Sequence, residues 1–461
     1  MMSTPGRWTG FRIAELAILT AFAVFLLRNA LAYPFIAGID ASEHRAYAWD
    51  LAVNGQLGTS GSYYTPPGWY VLAGELLKLG DQLDLSEVEL PAQLLSAALV
   101  VGSAILLLAA TERVFPGRPW VRLWSLAIFC TCPAVVKPAA MLHPQPLVLF
   151  LTLLALVGLV SLLAAPRWTL QAGIALGLAL GSAQLVRSVG LWVYAVAALA
   201  IAVAVVVGTR GTRRRMAAVG ATALVIGALV PLPWYVYLQV EYGDPVFGGR
   251  PEIVQGAPEP GGTTRAGTPI RLPTATAPAE PRAARAPLSF FTATGLPESI
   301  THPYRGRGEE PFAAILLADT WGDYFGEWSW GMPTAALDPP DRQRLVVQGI
   351  VGVLLTFVSL TGLVALAVLV GRSLRQRLRQ LPIVVLPLVA VASLVLYAWR
   401  YPSADDDTVK ALFLLPAAPA FAMGFGFATD VVRSALGRDA KVVLGAALAG
   451  LLLVCAHFGL A

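Results

Sequence analysis

Residues 144–164 read PQPLVLFLTLLALVGLVSLLA and contain no charged side chain. A helix of about 20 apolar residues is long enough to cross the ~30 Å hydrocarbon core of a bilayer. Similar runs recur along the whole chain of 461 residues, which is 56% hydrophobic and only 13% charged. A soluble domain carries about 25% charged residues. The sequence therefore predicts an all-α polytopic membrane protein.

Eleven apolar stretches are predicted to span the membrane. They are residues 13–33, 91–111, 121–138, 144–164, 168–186, 188–208, 216–238, 345–371, 381–399, 409–429 and 441–460. Arginine clusters fall in alternate connections, so the positive-inside rule places the N-terminus in the cytoplasm and the C-terminus outside. The first stretch follows Arg7 and Arg12 and lacks a small-residue cleavage site, which predicts a retained signal anchor.

A shorter apolar stretch, residues 66–80, is ambiguous. A helix of that length covers about 22 Å, less than the hydrocarbon core. Counting it as a span would also move every later arginine cluster to the outer face. We therefore expect an interfacial or re-entrant helix in the first outer loop, next to an amphipathic juxtamembrane helix over residues 40–54.

These assignments divide the chain into three parts. Residues 1–238 form an N-terminal transmembrane module with the first outer loop at 34–90, residues 239–343 form one large outer loop, and residues 344–461 form a C-terminal transmembrane module. The middle of the large loop, about 253–287, is rich in Pro, Thr, Ala, Gly and Arg and is predicted to be flexible. Its aromatic flanks, 288–300 and 311–335, are predicted to pack.

Composition also bears on location and partners. The abundance of Ala, Gly and Arg is compatible with a high-GC bacterium, which points to a multi-pass protein of the bacterial inner membrane. The formal net charge of +5 comes from short loops between spans and does not indicate a nucleic-acid partner. Cys130, Cys132 and Cys455 lie in or beside apolar spans, which predicts neither a disulfide framework nor a zinc site.

The first outer loop begins with Asp40, Glu43 and His44, whose i, i+3, i+4 spacing lets the side chains converge near a helix start. One interpretation is a capping box formed by Asp40 and Glu43. The other is functional, because a carboxylate at the membrane surface can act as a general base toward a hydroxyl group. The three residues are also candidate ligands for a divalent metal, and His44 could instead hold a phosphate or pack beneath the helix.

Residues 65–70, TPPGWY, follow in the same loop. Together with residues 40–44, DASEH, they resemble the GT-C superfamily of polyprenyl-phosphate-dependent glycosyltransferases, in the style of protein O-mannosyltransferases and aminoarabinose transferases. Residues 142–147 (LHPQPL), 233–236 (PWYV), 242–245 (YGDP) and 410–416 (KALFLLP) look similar too. The chain departs from the pattern at Ala41, where a second acidic residue would adjoin Asp40, and it lacks the Lys or His that precedes Pro-Pro in some members.

The resemblance implies a function. It implies transfer of a sugar from a polyprenyl-phosphate carrier to an acceptor hydroxyl on a lipid, glycan or protein at the outer face, with inversion and with Asp40 as the general base. Membrane lipids would surround the enzyme. No cofactor is implied with certainty, and a divalent metal stays open.

The departing lipid phosphate needs cations or hydrogen-bond donors beside it. Arg187 in a short outer turn, Lys410 at the start of a late span, His143 and Arg400 are the candidates. Lys410 could instead extend to the membrane interface, and Arg400 could pair with the acidic run at 405–407.

Further candidates for substrate binding are Glu43, His44 and Tyr64 in the first outer loop, and Trp321 and Asp323 in the stretch 319–330, DTWGDYFGEWSW. Aromatic faces stack on sugars and carboxylates accept hydrogen bonds from their hydroxyls. An aromatic belt at the membrane interface is the alternative account of this stretch.

Three other classes of protein compete with a GT-C enzyme. A secondary transporter is disfavoured because the spans carry few charges and show no inverted repeat of broken helices. A polysaccharide polymerase or ligase of the other membrane fold would depend on Arg305 or Arg307 in the large loop. A transporter or a non-catalytic scaffold would tolerate Asp40→Asn, whereas the transferase would not.

Overall fold

The computed structural model of the protein describes residues 5–57, 65–164, 169–242, 286–301, 303, 310–326, 339–400 and 409–458. Every regular element in these ranges is a helix. The predicted fold class, an all-α polytopic membrane protein, is confirmed.

The first half of the chain alternates long helices with shorter surface helices. The elements are α1 (Pro5–Ala32), α2 (Ala41–Asn54), α3 (Gly68–Gln82), α4 (Leu90–Val114), α5 (Pro119–Thr131), α6 (Pro133–Val136), a 3₁₀ helix (Lys137–Ala140), α7 (Gln145–Ala164), α8 (Leu170–Val186), α9 (Gly190–Val207), α10 (Arg210–Leu229) and α11 (Leu232–Tyr242). The second half contains α12 (Leu288–Thr292), α13 (Leu296–Thr301), α14 (Phe312–Trp321), α15 (Pro339–Arg372), α16 (Leu381–Arg400), a 3₁₀ helix (Ala411–Ala417), α17 (Ala418–Ala435) and α18 (Arg438–Phe458).

Eight of the described helices are long and apolar enough to cross a membrane, and two bent pairs raise the number to ten. The pairs bend by 68° between α5 and α6 and by 42° between α10 and α11. Prolines explain both bends, because Pro133 and Pro231 lack the amide hydrogen that a continuous helix requires. The remaining predicted span, 168–186, corresponds to α8, which has 17 residues. The total of eleven therefore stays a prediction.

The helices of the C-terminal half pack with their backbones in close approach. A Cβ atom on Gly362 of α15 would lie 1.9 Å from the carbonyl oxygen of Gly424 on α17. Small residues at helix interfaces allow this approach in membranes, where packing rather than the hydrophobic effect holds helices together. Phe129, Leu355 and Phe425 belong to the large buried core to which these helices contribute.

The surface helices α2 and α3 form a pair at the end of α1. His44, Tyr47 and Ala48 are buried on one face of α2. The helix ends at Gly55, whose φ of 65° suits glycine. A Cβ atom on Gly74 of α3 would lie 2.3 Å from the carbonyl oxygen of Ala48, so this glycine permits the close contact between α2 and α3.

Gly74→Ala is expected to force these two helices apart and to lower the apparent melting temperature in detergent by several degrees, since overpacking costs about 1–3 kcal/mol. Gly349→Ala is the matched control, because this glycine lies within α15 and a Cβ atom added to it would meet no other atom within 4 Å. Equal melting temperatures for the two variants would contradict the contact.

The described part of the large loop packs against α16. Phe312, Ile315 and Tyr324 form a cluster with Leu394 and Ala398, and the rings of residues 290 and 291 lie against it. The segment predicted to be flexible, 253–287, lies outside the described residues except for its last two positions.

Candidate active site

Asp40 lies immediately before α2. Its backbone is in the left-handed region, with φ 49° and ψ 28°, and its side chain makes no capping hydrogen bond. The capping box predicted for Asp40 and Glu43 is therefore wrong at Asp40. A capping residue normally has extended backbone angles, which bring its side-chain oxygen to the amides of the first turn. The carboxylate is instead 46% exposed and has Lys410 Nζ 3.7 Å from its Oδ2 atom.

Lys410 is only 3% exposed, although it stands at the start of a 3₁₀ helix and span. Its ammonium group lies between the Asp40 carboxylate and the Phe325 ring, whose centroid is 5.8 Å from Nζ. The side chain therefore does not extend to the membrane interface. It holds a positive charge beside the carboxylate that the sequence singled out.

A second buried cluster positions the chain at Lys410. The amide of Ala411 donates to Asp319 Oδ2 over 2.6 Å, and Lys137 Nζ donates to Asp319 Oδ1 over 3.2 Å. Asp323 Oδ1 lies 3.7 Å from the same ammonium group. The carboxylate of Asp319 thus fixes the beginning of the 3₁₀ helix that follows Lys410.

Two buried imidazoles, one on α2 and one before α7, lie side by side. His44 and His143 are each 1% exposed, and their ring centroids are 4.7 Å apart in an edge-on arrangement. The hydroxyl of Tyr70 lies 2.8 Å from His44 Nδ1. The backbone N–H of Gln145 donates to His143 Nδ1 over 3.2 Å. Neither Nε2 atom has a hydrogen-bond partner within the described part of the chain.

Arg187 ends α8 and approaches the same cluster. Its guanidinium carbon lies 5.4 Å from the centroid of the Phe413 ring, which holds the group by a cation–π contact. The Nη1 atom is buried and finds no hydrogen-bond partner among the residues that the structure describes. A buried guanidinium N–H without a partner is suited to an incoming anion.

Burial is the main reason why the two imidazoles stay neutral. Burial lowers the pKa of His44 from 6.5 to about 3, Asp40 opposes this shift, and Arg187 and Lys410 reinforce it. Burial also lowers the pKa of His143 well below its usual value, with the neighbouring His44, Arg187 and Lys410 acting in the same direction. At neutral pH the positive charge of the site therefore comes from Arg187 and Lys410.

These shifts predict how stability depends on pH. Below pH 6.5 the unfolded chain protonates His44 and His143, whereas the folded chain does not, so stability falls as the pH decreases through 6.5. At pH 5.5 His44 should cost about 1.4 kcal/mol relative to neutral pH, and His143 should add to this loss. The apparent melting temperature in detergent at pH 7.5 and pH 5.5 measures this. A His44→Asn, His143→Asn variant should lose part of the difference, and an unchanged difference would contradict the assignment.

The three candidate metal ligands of the first loop do not come together. Glu43 is exposed while His44 is buried, because neighbouring positions on a helix are turned by about 100°. The described residues contain no group of three His, Cys, Asp or Glu side chains that could hold a metal ion.

The other predicted residues lie elsewhere. Trp321 is 4% exposed and donates from Nε1 to Thr356 Oγ1 over 2.7 Å, and it lines an apolar cavity of about 550 Å³. Asp323 is buried beside Lys137. Tyr64, together with residues 305, 307 and 405–407, lies outside the described residues, and so does the side chain of residue 400.

Sequence reasoning missed Lys137, Asp319 and the hydroxyl of Tyr70. Lys137 could have been found, because a lone lysine within the apolar stretch 134–142 is costly in a membrane and marks a paired or functional group. Asp319 gave no such signal, since it is one of several acidic residues in an aromatic stretch.

Comparison with solved structures identifies the fold. The chain is similar to the oligosaccharyltransferase of Archaeoglobus fulgidus in its apo form, with a TM-score of 0.57 and 13% identity over 96% of this chain and 56% of that chain. The fold is that of the GT-C glycosyltransferases. The same archaeal enzyme, AglB, in complex with an inhibitory peptide and a dolichol-phosphate gives a TM-score of 0.54 at 14% identity, over 96% of this chain and 56% of that chain.

The GT-C fold implied by the sequence resemblance is thus confirmed. ArnT from Cupriavidus metallidurans, bound to undecaprenyl phosphate, also matches, with a TM-score of 0.47 and 14% identity over 99% of this chain and 75% of that chain. The chain spans about half the length of the archaeal enzyme. No protein-family model and no curated protein matches its sequence.

Proposed function

We propose that this chain is a membrane glycosyltransferase that moves a sugar from a polyprenyl-phosphate carrier to an acceptor hydroxyl. One observation carries the proposal. A half-exposed carboxylate, Asp40, stands 3.7 Å from the buried ammonium of Lys410. The same cluster contains the Nη1 atom of Arg187, which has no hydrogen-bond partner among the described residues. The cluster therefore contains both a base for a hydroxyl group and cations for a phosphate.

Asp40 is the general base in the proposed reaction. Its carboxylate accepts the proton of the acceptor hydroxyl while the hydroxyl oxygen forms a bond to the anomeric carbon of the sugar. The bond between that carbon and the phosphate oxygen breaks, and its electron pair leaves with the lipid phosphate. Attack opposite to the leaving group inverts the configuration. The products are the glycosylated acceptor, the lipid phosphate and one proton.

Arg187 and Lys410 stabilise the charge that develops on the departing phosphate. This charge appears only as the bond to the sugar breaks, so fixed cations lower the barrier more than they strengthen donor binding. The rings of Phe413 and Phe325 hold the guanidinium of Arg187 and the ammonium of Lys410 by cation–π contacts. Asp319 fixes the backbone amide of Ala411, the residue after Lys410. Little reorganisation is then needed during the reaction.

Two further observations support a lipid-linked donor at the outer face. An archaeal enzyme with this fold has been solved with a dolichol-phosphate. The site also lies where α1 and α8 end and where α7 begins, while the arginines of residues 113, 118 and 122 stand at the opposite ends of α4 and α5. Under the positive-inside rule, this arrangement supports a site on the outer face.

The test is sugar transfer by the purified full-length protein in nanodiscs, with a panel of radiolabelled polyprenyl-phosphate sugars and a membrane extract as the source of acceptor. We expect one donor to yield a labelled product and free polyprenyl phosphate. The absence of turnover across the panel would overturn the proposal, whether or not a donor binds.

A further inference from the structure

We infer that His44 and His143 form an uncharged pair of N–H donors that binds an oxyanion and not a metal ion. The inference rests on the proposed function only for the identity of the anion, the phosphate of a lipid-linked donor. What it adds is the chemistry of the pair and the residues that fix it.

The hydrogen bond to His143 decides the tautomer. A backbone amide can only donate, so His143 Nδ1 accepts from Gln145 and carries no proton. A neutral imidazole then carries its proton on Nε2. A histidine that binds a metal through Nε2 donates from its other nitrogen to a second group, which is the opposite arrangement. His143 is therefore prepared to donate from Nε2.

Tyr70 contacts the corresponding nitrogen of His44. Its hydroxyl stands 2.8 Å from His44 Nδ1 and donates to it in the tautomer that has its proton on Nε2. Both Nε2 atoms are buried and lack a partner among the described residues. Tyr70 is thus a positioning residue, since it acts on a ligand only through His44.

The surroundings select the sign of the ligand. Arg187 and Lys410 act electrostatically on both imidazoles, so all four groups belong to one cluster. Two fixed positive charges repel a metal ion and attract an anion. Asp40, the partly exposed acid of the cluster, stands at its entrance and is paired with Lys410.

Burial of the two Nε2 atoms favours the binding of an anion. A buried donor without a partner is costly, and an anion oxygen that accepts from it removes that cost. Because water does not reach either Nε2 atom, the covering side chains must shift before the anion makes contact.

The test is calorimetric titration of the full-length protein in detergent micelles with farnesyl phosphate. Farnesol and inorganic phosphate separate the contribution of the lipid tail from that of the phosphate, and zinc chloride tests for a metal site. We expect farnesyl phosphate to bind, farnesol to bind much more weakly, and zinc not to bind at the pair. Zinc binding that His143→Asn abolishes would overturn the inference.

Three variants distinguish the loss of an Nε2–H donor from a loss of folding. His143→Asn keeps a side-chain oxygen that can accept from the amide of Gln145 but has no Nε2–H, so we expect about tenfold weaker binding of farnesyl phosphate. His44→Gln retains an amide N–H near the Nε2 position and should keep most of the affinity, whereas His44→Ala should not. An unchanged affinity in both His143→Asn and His44→Ala, at normal melting temperature, would also overturn the inference.

Tyr70→Phe tests the positioning role, with Tyr194→Phe as its control. Tyr194 loses a hydrogen bond to the carbonyl oxygen of Leu224, which joins α9 to α10. We expect weaker binding of farnesyl phosphate only in Tyr70→Phe. Binding of the phosphate without any sugar transfer would refute the proposed function and leave this inference standing.

Discussion

Asp40→Asn should lower the rate of sugar transfer by about 10²- to 10⁴-fold, because in the proposed mechanism it removes the group that accepts the acceptor's proton. Asparagine has nearly the shape of aspartate and no basic oxygen at neutral pH. The loss should therefore appear in kcat, while binding of farnesyl phosphate should persist. The measurement is single-turnover transfer from the donor identified in the panel.

Asp50→Asn on the same helix is the matched control. Asp50 accepts a hydrogen bond from Asn54 over 3.3 Å at the exposed end of α2, so this substitution changes the same charge away from the cluster. We expect wild-type rates from this variant. Equal rates for Asp40→Asn and wild type would exclude Asp40 as the base.

Arg187→Gln should lower kcat by about 10²- to 10³-fold, which is the loss seen when one fixed donor to a developing negative charge is removed. Within the part of the chain that the structure describes, the buried Nη1 atom has no hydrogen-bond partner. The Phe413 ring holds the guanidinium group by a cation–π contact, which in the proposed mechanism keeps it in place for the leaving phosphate. Arg187→Lys should restore part of the rate, since it keeps the charge but not the planar fork of donors. Rates are compared at saturating donor.

Arg213→Gln provides the comparison at the opposite end of the bundle. Arg213 of α10 donates to the carbonyl oxygens of Val205 and Val206 at the end of α9. The substitution removes one arginine without touching the cluster and should leave transfer unchanged. A similar loss in both variants would mean that stability, and not phosphate stabilisation, is affected.

The sequence predicted the helices better than the site. The length of the apolar stretches predicted the long helices, because that length follows directly from the thickness of the bilayer. The capping role of Asp40 did not hold, because the local pattern contains no information on the tertiary contact with Lys410.

The meeting of His44 with His143, and of both with Arg187, depends on how three helices pack and cannot be read from periodicity. The resemblance to GT-C enzymes supplied the order of these residues along the chain, and the structure supplied their proximity. Lys137 and Asp319 are 182 positions apart, so their ion pair cannot be predicted from local sequence.

The backbone of Asp40 limits which acid can stand at this position. With φ at 49°, most side chains would strain the chain, while Asp and Asn tolerate this conformation. Glutamate would retain the negative charge but add a strain of about 1–2 kcal/mol and a longer reach. Among related chains, we therefore expect asparagine or glycine to replace aspartate at this position more readily than glutamate does. Such replacements would remove the proposed transfer activity without unfolding the protein.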